Sequence, residues 1–198
     1  MTDAPPSPHG LLQPPSPWVR RFSVLVRGGG PVLDLACGGG RHARLFLERG
    51  HPVTAVDIDL RGVRDLEGRA GATLLQADLE GGGPFPVPGR FAGIVVANYL
   101  HRPLFPALLA ALEPGGVLLY ETFAMGNQRF GRPSSPAFLL RAGELLELAR
   151  GRLHVLAFEQ GEVASPKAAV VQRLAAVAPA GPAPDLDGDP EPFPLPLA

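Results

Sequence analysis

A chain of 198 residues with a hydrophobic fraction of 45% is the size of one α/β domain and long enough to bury a core. Its net charge is −1, with Asp185, Asp187, Asp189 and Glu191 close together near the end; there is no basic stripe of the kind a nucleic-acid reader uses, and no apolar run long enough for a membrane-spanning helix. The single cysteine, Cys37, excludes an internal disulfide and a cysteine-cluster metal or iron–sulfur site; with no secretory signal at the start, the chain is expected in the cytoplasm.

Residues 1–17 and 179–198 are proline-rich and lack the periodicity of a packed element, so they are expected to be arms, the second acidic and disordered, around a globular unit at 18–178. Within that unit strands and helices alternate. "PVLDLA" (31–36) reads as a buried strand running into glycines, and "RHARLFLERG" as a helix stopped by Gly50. "PVTAVDID" (52–59) is a second strand, 60–70 a weak helix, "ATLLQAD" (72–78) a third strand and "GIVVANYL" (93–100) a fourth. A helix is predicted over 103–112, with prolines where a missing N–H costs little, and a fifth strand over "GVLLYETF" (116–123). After a helix near 141–150, "LHVLAFEQGEV" and "KAAVVQRLAAVA" are separated by a short Gly/Ser/Pro-containing link and should pair as an antiparallel hairpin. The pattern predicts a doubly wound, Rossmann-like α/β fold: a mostly parallel seven-stranded sheet ending in that hairpin.

In such sheets ligands bind outside the carboxyl ends of the strands. The polar residues there are Asp34 to Gly40, then Asp57 and Asp59, Asp78, Asn98 to Arg102, and Glu121 with Thr122. Gly38, Gly40 and Ala43 satisfy G-x-G-x-x-G/A, and Asp57 follows at a distance suited to a ribose. That spacing alone would admit a nicotinamide or flavin dinucleotide. Asp34 changes the balance, because a carboxylate close to the loop repels a pyrophosphate and welcomes a cationic ligand. S-adenosylmethionine carries an α-ammonium and a sulfonium and no phosphate.

The stretches "LDLACGGGRHA", "AVDID", "QADLE", "NYLH" and "LEPGGVLLYETF", in this order, resemble the class I S-adenosylmethionine-dependent methyltransferases over residues 18–178. The "DLACGxGRH" form and small size are most similar to small bacterial tellurite-resistance-type enzymes acting on small molecules. The resemblance implies that Asp34 orients the methionine ammonium while Ala36, Gly38 and Gly40 line its backbone. It implies that Asp57, with Ile58 beside it, binds the ribose, that Asp78 and the Leu79 N–H meet the adenine, and that Asn98 and Tyr99 lie near the methyl donor. Two positions depart from the family: Ala36 stands for the first loop glycine, and Ala92 follows Phe91 where an aspartate is usual.

Several residues carry two readings. Asp59 is expected to cap a helix rather than bind a ligand, and Asp78 either contacts the ligand or caps a turn. Cys37 is read as packing, His42 as facing either solvent or cofactor, and Trp18 as core or as a lid on the substrate side. For the acceptor, His101 is the candidate base because its ordinary pKa is near neutrality, although it can equally cap a helix. Glu121 and Tyr99 are further catalytic candidates, and Arg102 and Arg132 candidate substrate contacts. The segment 124–138 is long for a tight connection and reads as a substrate lid, with Arg132 meeting an anionic group. The expected activity is methylation of a small-molecule nucleophile by in-line displacement, releasing S-adenosylhomocysteine, in a monomer or weak homodimer with no membrane, metal or nucleic-acid partner. The absence of "NPPY" or "DPPY" after the fourth strand lowers nucleic-acid amines as acceptors. The alternatives are an RNA or protein methyltransferase, a non-catalytic S-adenosylmethionine-binding subunit, and an NAD(P)-dependent oxidoreductase, for which neither tyrosine has a lysine four residues on.

Overall fold

A computed structural model describes residues 13–181. The expectations for 1–12 and 182–198 lie outside the described residues. In chain order the elements are α1 (Pro17–Phe22), β1 (Val32–Leu35), α2 (Arg41–Glu48), β2 (Val53–Asp57), β3 (Ala72–Gln76), β4 (Phe91–Ala97), α3 (Phe105–Ala110), β5 (Leu112–Phe123), α4 (Glu144–Ala149), β6 (His154–Val163) and β7 (Ala169–Val177). The seven strands form one sheet in the order β3-β2-β1-β4-β5-β7-β6. β7 pairs antiparallel with both β5 and β6, and the pairings from β3 across to β5 are parallel.

Burial explains the sequence of each strand. β1 and β4 lie at the centre with both faces covered, so they read as continuous apolar runs, while edge strand β3 is only partly covered. Alternate residues feed two cores. Leu33, Leu35, Ile94, Val96, Leu118 and Tyr120 face α3 and α4, whereas Val32, Ala55, Val95 and Leu119 face Trp18, Phe22 and Phe46 of α1 and α2. Phe46 is fully buried, so truncating it to alanine should cost about 3–5 kcal/mol. Asp34 shares the α2 face with Val32, and it is 1% exposed.

The helices are shorter than the sequence predicts. Residues 60–66 form a 3-10 turn instead of a weak α-helix, and the predicted 103–112 helix divides into a 3-10 turn at 102–104 and α3. Gly62 and Gly68 lower the helix propensity of the first segment, and Pro103 and Pro106 lack the N–H that a longer helix through the second needs. β5 begins four residues earlier than expected, because Leu112 already pairs with Phe91 before the register shifts and resumes at Gly93–Val117. Among the described residues no helix is long and apolar enough to cross a membrane.

Order reverses at β1, which has β2 on one side and β4 on the other. The loops leaving β1 and β4 therefore diverge and open a crevice between them.

Candidate functional site

That crevice is a cavity of about 720 Å³, lined by residues 36–39, Asp57, Asn98 and Tyr99, with Gln13, Arg41 and His42 at its side. The two non-glycine residues with left-handed backbone among the described residues are Ala36 (φ 53°) and Asn98 (φ 57°), which directly follow β1 and β4. Such a conformation costs energy for a residue with a Cβ, and strain of this kind concentrates at ligand sites. Both turn the chain out of the sheet and around the cavity.

The glycine loop is held from three sides. An Asp57 carboxylate oxygen (Oδ2) accepts the Gly38 N–H at 2.7 Å, and Oδ1 accepts the Asp59 N–H at 3.0 Å. A carboxylate has room for about four such bonds, so Asp57 keeps capacity for two ligand hydroxyls. Arg44 donates to the carbonyls of Gly39 and Gly62 and pairs with Asp65 at 2.5 Å. Gly62 itself lies so close that a Cβ there would stand 2.8 Å from the Gly38 carbonyl oxygen. By contrast, nothing lies within 4 Å of where a Cβ on Gly38 or Gly39 would point, so that side of the loop is open to a ligand.

Asp34 answers a need of helix α2. Its N-cap is Gly40, which has no side chain to cap with, and Asp34 Oδ2 accepts the Ala43 N–H at 2.8 Å instead. Burial pushes the Asp34 carboxyl up to about 7, against the opposing pull of that hydrogen bond and of Arg41. Asp34 thus lies beneath the cavity wall, behind the loop residues. His42 is buried beside it. Burial, with Arg41 adding, holds its pKa down at about 3, so it is neutral and its Nε2 accepts the Ser16 N–H at 3.2 Å. This bond fixes the segment from Gln13 to Ser16 across the cavity's edge.

The structure distributes the remaining candidates unequally. Ala36, Gly38, His42, Asp57, Asn98 and Tyr99 are brought together on the cavity, and Gly40 is buried against Val63 at the start of α2. Ile58 is 62% exposed beside Asp57. Asp78 is exposed, with Oδ1 accepting the Glu80 N–H at 2.9 Å, so it closes a turn, and Leu79 packs against the core. Asp59 caps the 60–66 turn through the Arg61 N–H, as the sequence reading expects.

Five acceptor-side expectations meet different surroundings. Trp18 is core: it is 4% exposed and its indole N–H donates to the Leu174 carbonyl at 3.3 Å, so it packs inside the fold instead of forming a lid. Arg102 is occupied by the protein, donating to Glu144 at 2.6 and 2.9 Å and to the carbonyls of Ala137 and Leu139. Glu121 is buried and accepts from Arg173 at 2.6 Å, so it is no free base. His101 opens the 102–104 turn without a side-chain capping bond and lies off the cavity lining, while Arg132 is exposed on the segment after β5. Burial pushes the Cys37 thiol well up, consistent with packing.

Sequence reasoning missed Arg44, Gly62 and Gln13. Gly62 had a signal, an isolated glycine within an otherwise helical "LRGVRDL". Among the described residues no group of three or more His, Cys, Asp or Glu could hold a metal ion.

Comparison with known proteins agrees with this architecture. A family profile described as "Methyltransferase domain" matches residues 32–116. Malonyl-[acyl-carrier protein] O-methyltransferase of Serratia marcescens is 31% identical over 138 residues, 66% of this chain and 48% of that protein. Trans-aconitate 2-methyltransferase of Paracidovorax citrulli is 35% identical over 99 residues, 46% of this chain and 37% of that protein. The chain therefore spans about half the length, or less, of these curated relatives. Among solved structures, TehB from Haemophilus influenzae superposes with a TM-score of 0.64 at 18% identity, covering 79% of this chain and 60% of TehB, a likeness of fold. By its domain match over residues 32–116 and by its fold, the chain is similar to the class I S-adenosylmethionine-dependent methyltransferases.

Proposed function

We propose that the protein transfers a methyl group from S-adenosylmethionine to a small acceptor that is already anionic, a carboxylate or a thiolate. The observation that carries the cofactor assignment is Asp57, which faces an open glycine loop across a 2.7 Å bond and keeps two acceptor positions free, as a ribose diol requires. The cofactor supplies an electrophilic methyl on a positively charged sulfur. The chain's residues bind and orient it: Asp57 at the ribose, residues 36–39 along the amino-acid moiety, and Asn98 where the strained turn brings backbone to the reacting centre. Transfer is an in-line displacement in which the acceptor's lone pair forms the new bond to carbon as the carbon–sulfur bond breaks.

The anionic acceptor is supported by the surroundings of the three candidate bases among the described residues. A hydroxyl or amine must lose a proton, yet Glu121 is neutralised by Arg173, burial raises the Tyr99 phenol, and His101 stands off the cavity lining. A carboxylate is ionised at neutral pH and needs no base. The names of the two curated relatives support this reading, since malonyl groups and aconitate both carry carboxylates. We take the 124–138 segment with Arg132 as the acceptor side, and the working unit as a monomer or weak homodimer, checked by light scattering.

The test is a screen of small carboxylates and thiols for S-adenosylhomocysteine release from the purified protein. Turnover with a carboxylate or thiol and none with matched alcohols and amines is expected. Turnover confined to amines, accompanied by loss in His101→Ala, would overturn the anionic-acceptor reading.

A further inference from the structure

The sheet has two edge strands, β3 and β6, and the chain treats them differently. β6 carries His154, Glu159 and Glu162, and its register with β7 shifts between Val155 and Ala157. Charge and a bulge are devices that keep an exposed edge from pairing with another chain. β3 has neither. Its residues, Ala72 to Gln76, are uncharged and include no proline, and its register with β2 is unbroken. The Gly71 carbonyl accepts the Val53 N–H at 2.7 Å and the Ala77 N–H donates to the Asp57 carbonyl at 3.0 Å, so the odd-numbered residues bond to β2. Ala72, Leu74 and Gln76 therefore turn their backbone groups outward. Of these groups, the Ala72 N–H alone meets a partner among the described residues, the Arg69 carbonyl at 3.0 Å. The adjoining sheet face is also open. Because residues 60–66 form a short 3-10 turn, a cavity of about 900 Å³ remains between that turn and β3, with Leu60, Leu66, Ala72, Leu74 and Gln76 in its lining.

We infer that β3 is the interface of a weak homodimer, in which it pairs antiparallel with β3 of a second copy about a two-fold axis at Leu74. The strand is self-complementary in this register. Leu74 exchanges N–H and C=O bonds with its own counterpart, the Gln76 N–H meets the Ala72 carbonyl, and on the opposite face Thr73 covers the half-buried Leu75. Charge agrees at both ends of the pair. The register sets Arg69, just before β3, beside Asp78 and Glu80, just after β3 in the second copy, and all three are exposed. The pairing specifies the homodimer proposed above and is independent of the cofactor assignment, which stands if the pairing fails.

A strand of 5 residues spans about 17 Å, so the pair alone falls short of the roughly 1,200 Å² of a standard interface, and a Kd of about 10–100 μM is expected. The experiment is sedimentation velocity from about 5 to 500 μM on wild type, Leu74→Lys, Leu74→Glu, an equimolar mixture of those two, and Gln76→Pro, with thermal melts alongside. The wild type should move from monomer toward dimer across the range. Each Leu74 variant alone sets like charges against each other at the axis, so its self-association should weaken about tenfold or more. The mixture sets opposite charges there and should recover dimer to within about threefold of wild type, a recovery that misfolded chains cannot give. Gln76→Pro deletes an N–H that points away from β2, so it should weaken the dimer while the melt stays cooperative. A wild type that remains monomeric throughout leaves the edge to another partner or to none, and overturns the proposal. Variants that dimerise as the wild type does place the interface elsewhere, and folded Leu74 variants whose mixture stays monomeric exclude the antiparallel register; either result overturns it as well.

Discussion

Replacing Asp34 by asparagine should make the protein more stable, and increasingly so as pH rises. The carboxyl is buried and its pKa is raised from 3.8 to about 7, so between those values the folded protein holds a proton that the unfolded chain has lost. Stability must then fall as pH climbs through this window, at about 1.4 kcal/mol per unit, to a full penalty of about 4 kcal/mol above pH 7. His42 opposes it. Its pKa falls from 6.5 to about 3 on folding, so there the unfolded chain binds the extra proton and stability rises with pH up to 6.5. In the wild type the two slopes nearly cancel, whereas Asp34→Asn, which can still accept the Ala43 N–H, leaves the His42 slope alone. Urea unfolding of both proteins from about pH 5 to pH 8 reads the difference directly. The stability advantage of the amide should grow by about 2 kcal/mol from pH 5 to 7 and level off by about pH 8. Parallel curves for the two proteins would refute the buried-proton argument.

Other consequences can be checked with single variants. Arg102→Ala removes four hydrogen bonds that tie the chain after β4 to Ala137, Leu139 and the buried Glu144; it should cost about 3 kcal/mol and raise hydrogen exchange over 125–140, with Arg102→Lys intermediate. Exchange unchanged in that segment would show that Arg102 does not hold it. Gly62→Ala forces a Cβ against the Gly38 carbonyl, so the loop must shift and S-adenosylhomocysteine affinity should fall about tenfold, whereas wild-type affinity would mean the loop is not a rigid cradle. Arg132→Ala should raise the Michaelis constant for a carboxylate acceptor several-fold and leave cofactor affinity unchanged. An unaltered Michaelis constant removes Arg132 from the acceptor site.

The central sheet was legible because its strands are short apolar runs ending in polar residues, and parallel strands buried on both faces must have that composition. The lining of the cavity was legible for the same reason: Asp57 and the glycines stand at strand ends, where chain geometry alone places them. The surroundings of the residues expected on the acceptor side were not. Arg102, Glu121 and Trp18 have the chemistry of ligand contacts, but each found its partner in residues 35 to 156 positions away, Glu144 with Ala137 and Leu139, Arg173, and Leu174. Pairings over such separations depend on which strand lies beside which, and β7 inserting between β5 and β6 supplied two of the three. Asp34 shows a subtler limit. Its place near the loop was correct, yet its bond to Ala43 follows from a helix whose N-cap is a glycine, a backbone requirement that composition does not display.

Ligand binding at Asp57 decides the cofactor assignment. Calorimetric titration with S-adenosylmethionine, S-adenosylhomocysteine and NAD(H) in parallel, on wild type and Asp57→Ala, tests it most directly. Binding of both adenosyl ligands by the wild type, weakened about 10- to 100-fold in the variant through loss of charge-assisted hydrogen bonds, is the predicted result. Binding of NAD(H) with neither adenosyl ligand, or adenosyl binding indifferent to Asp57, would contradict it.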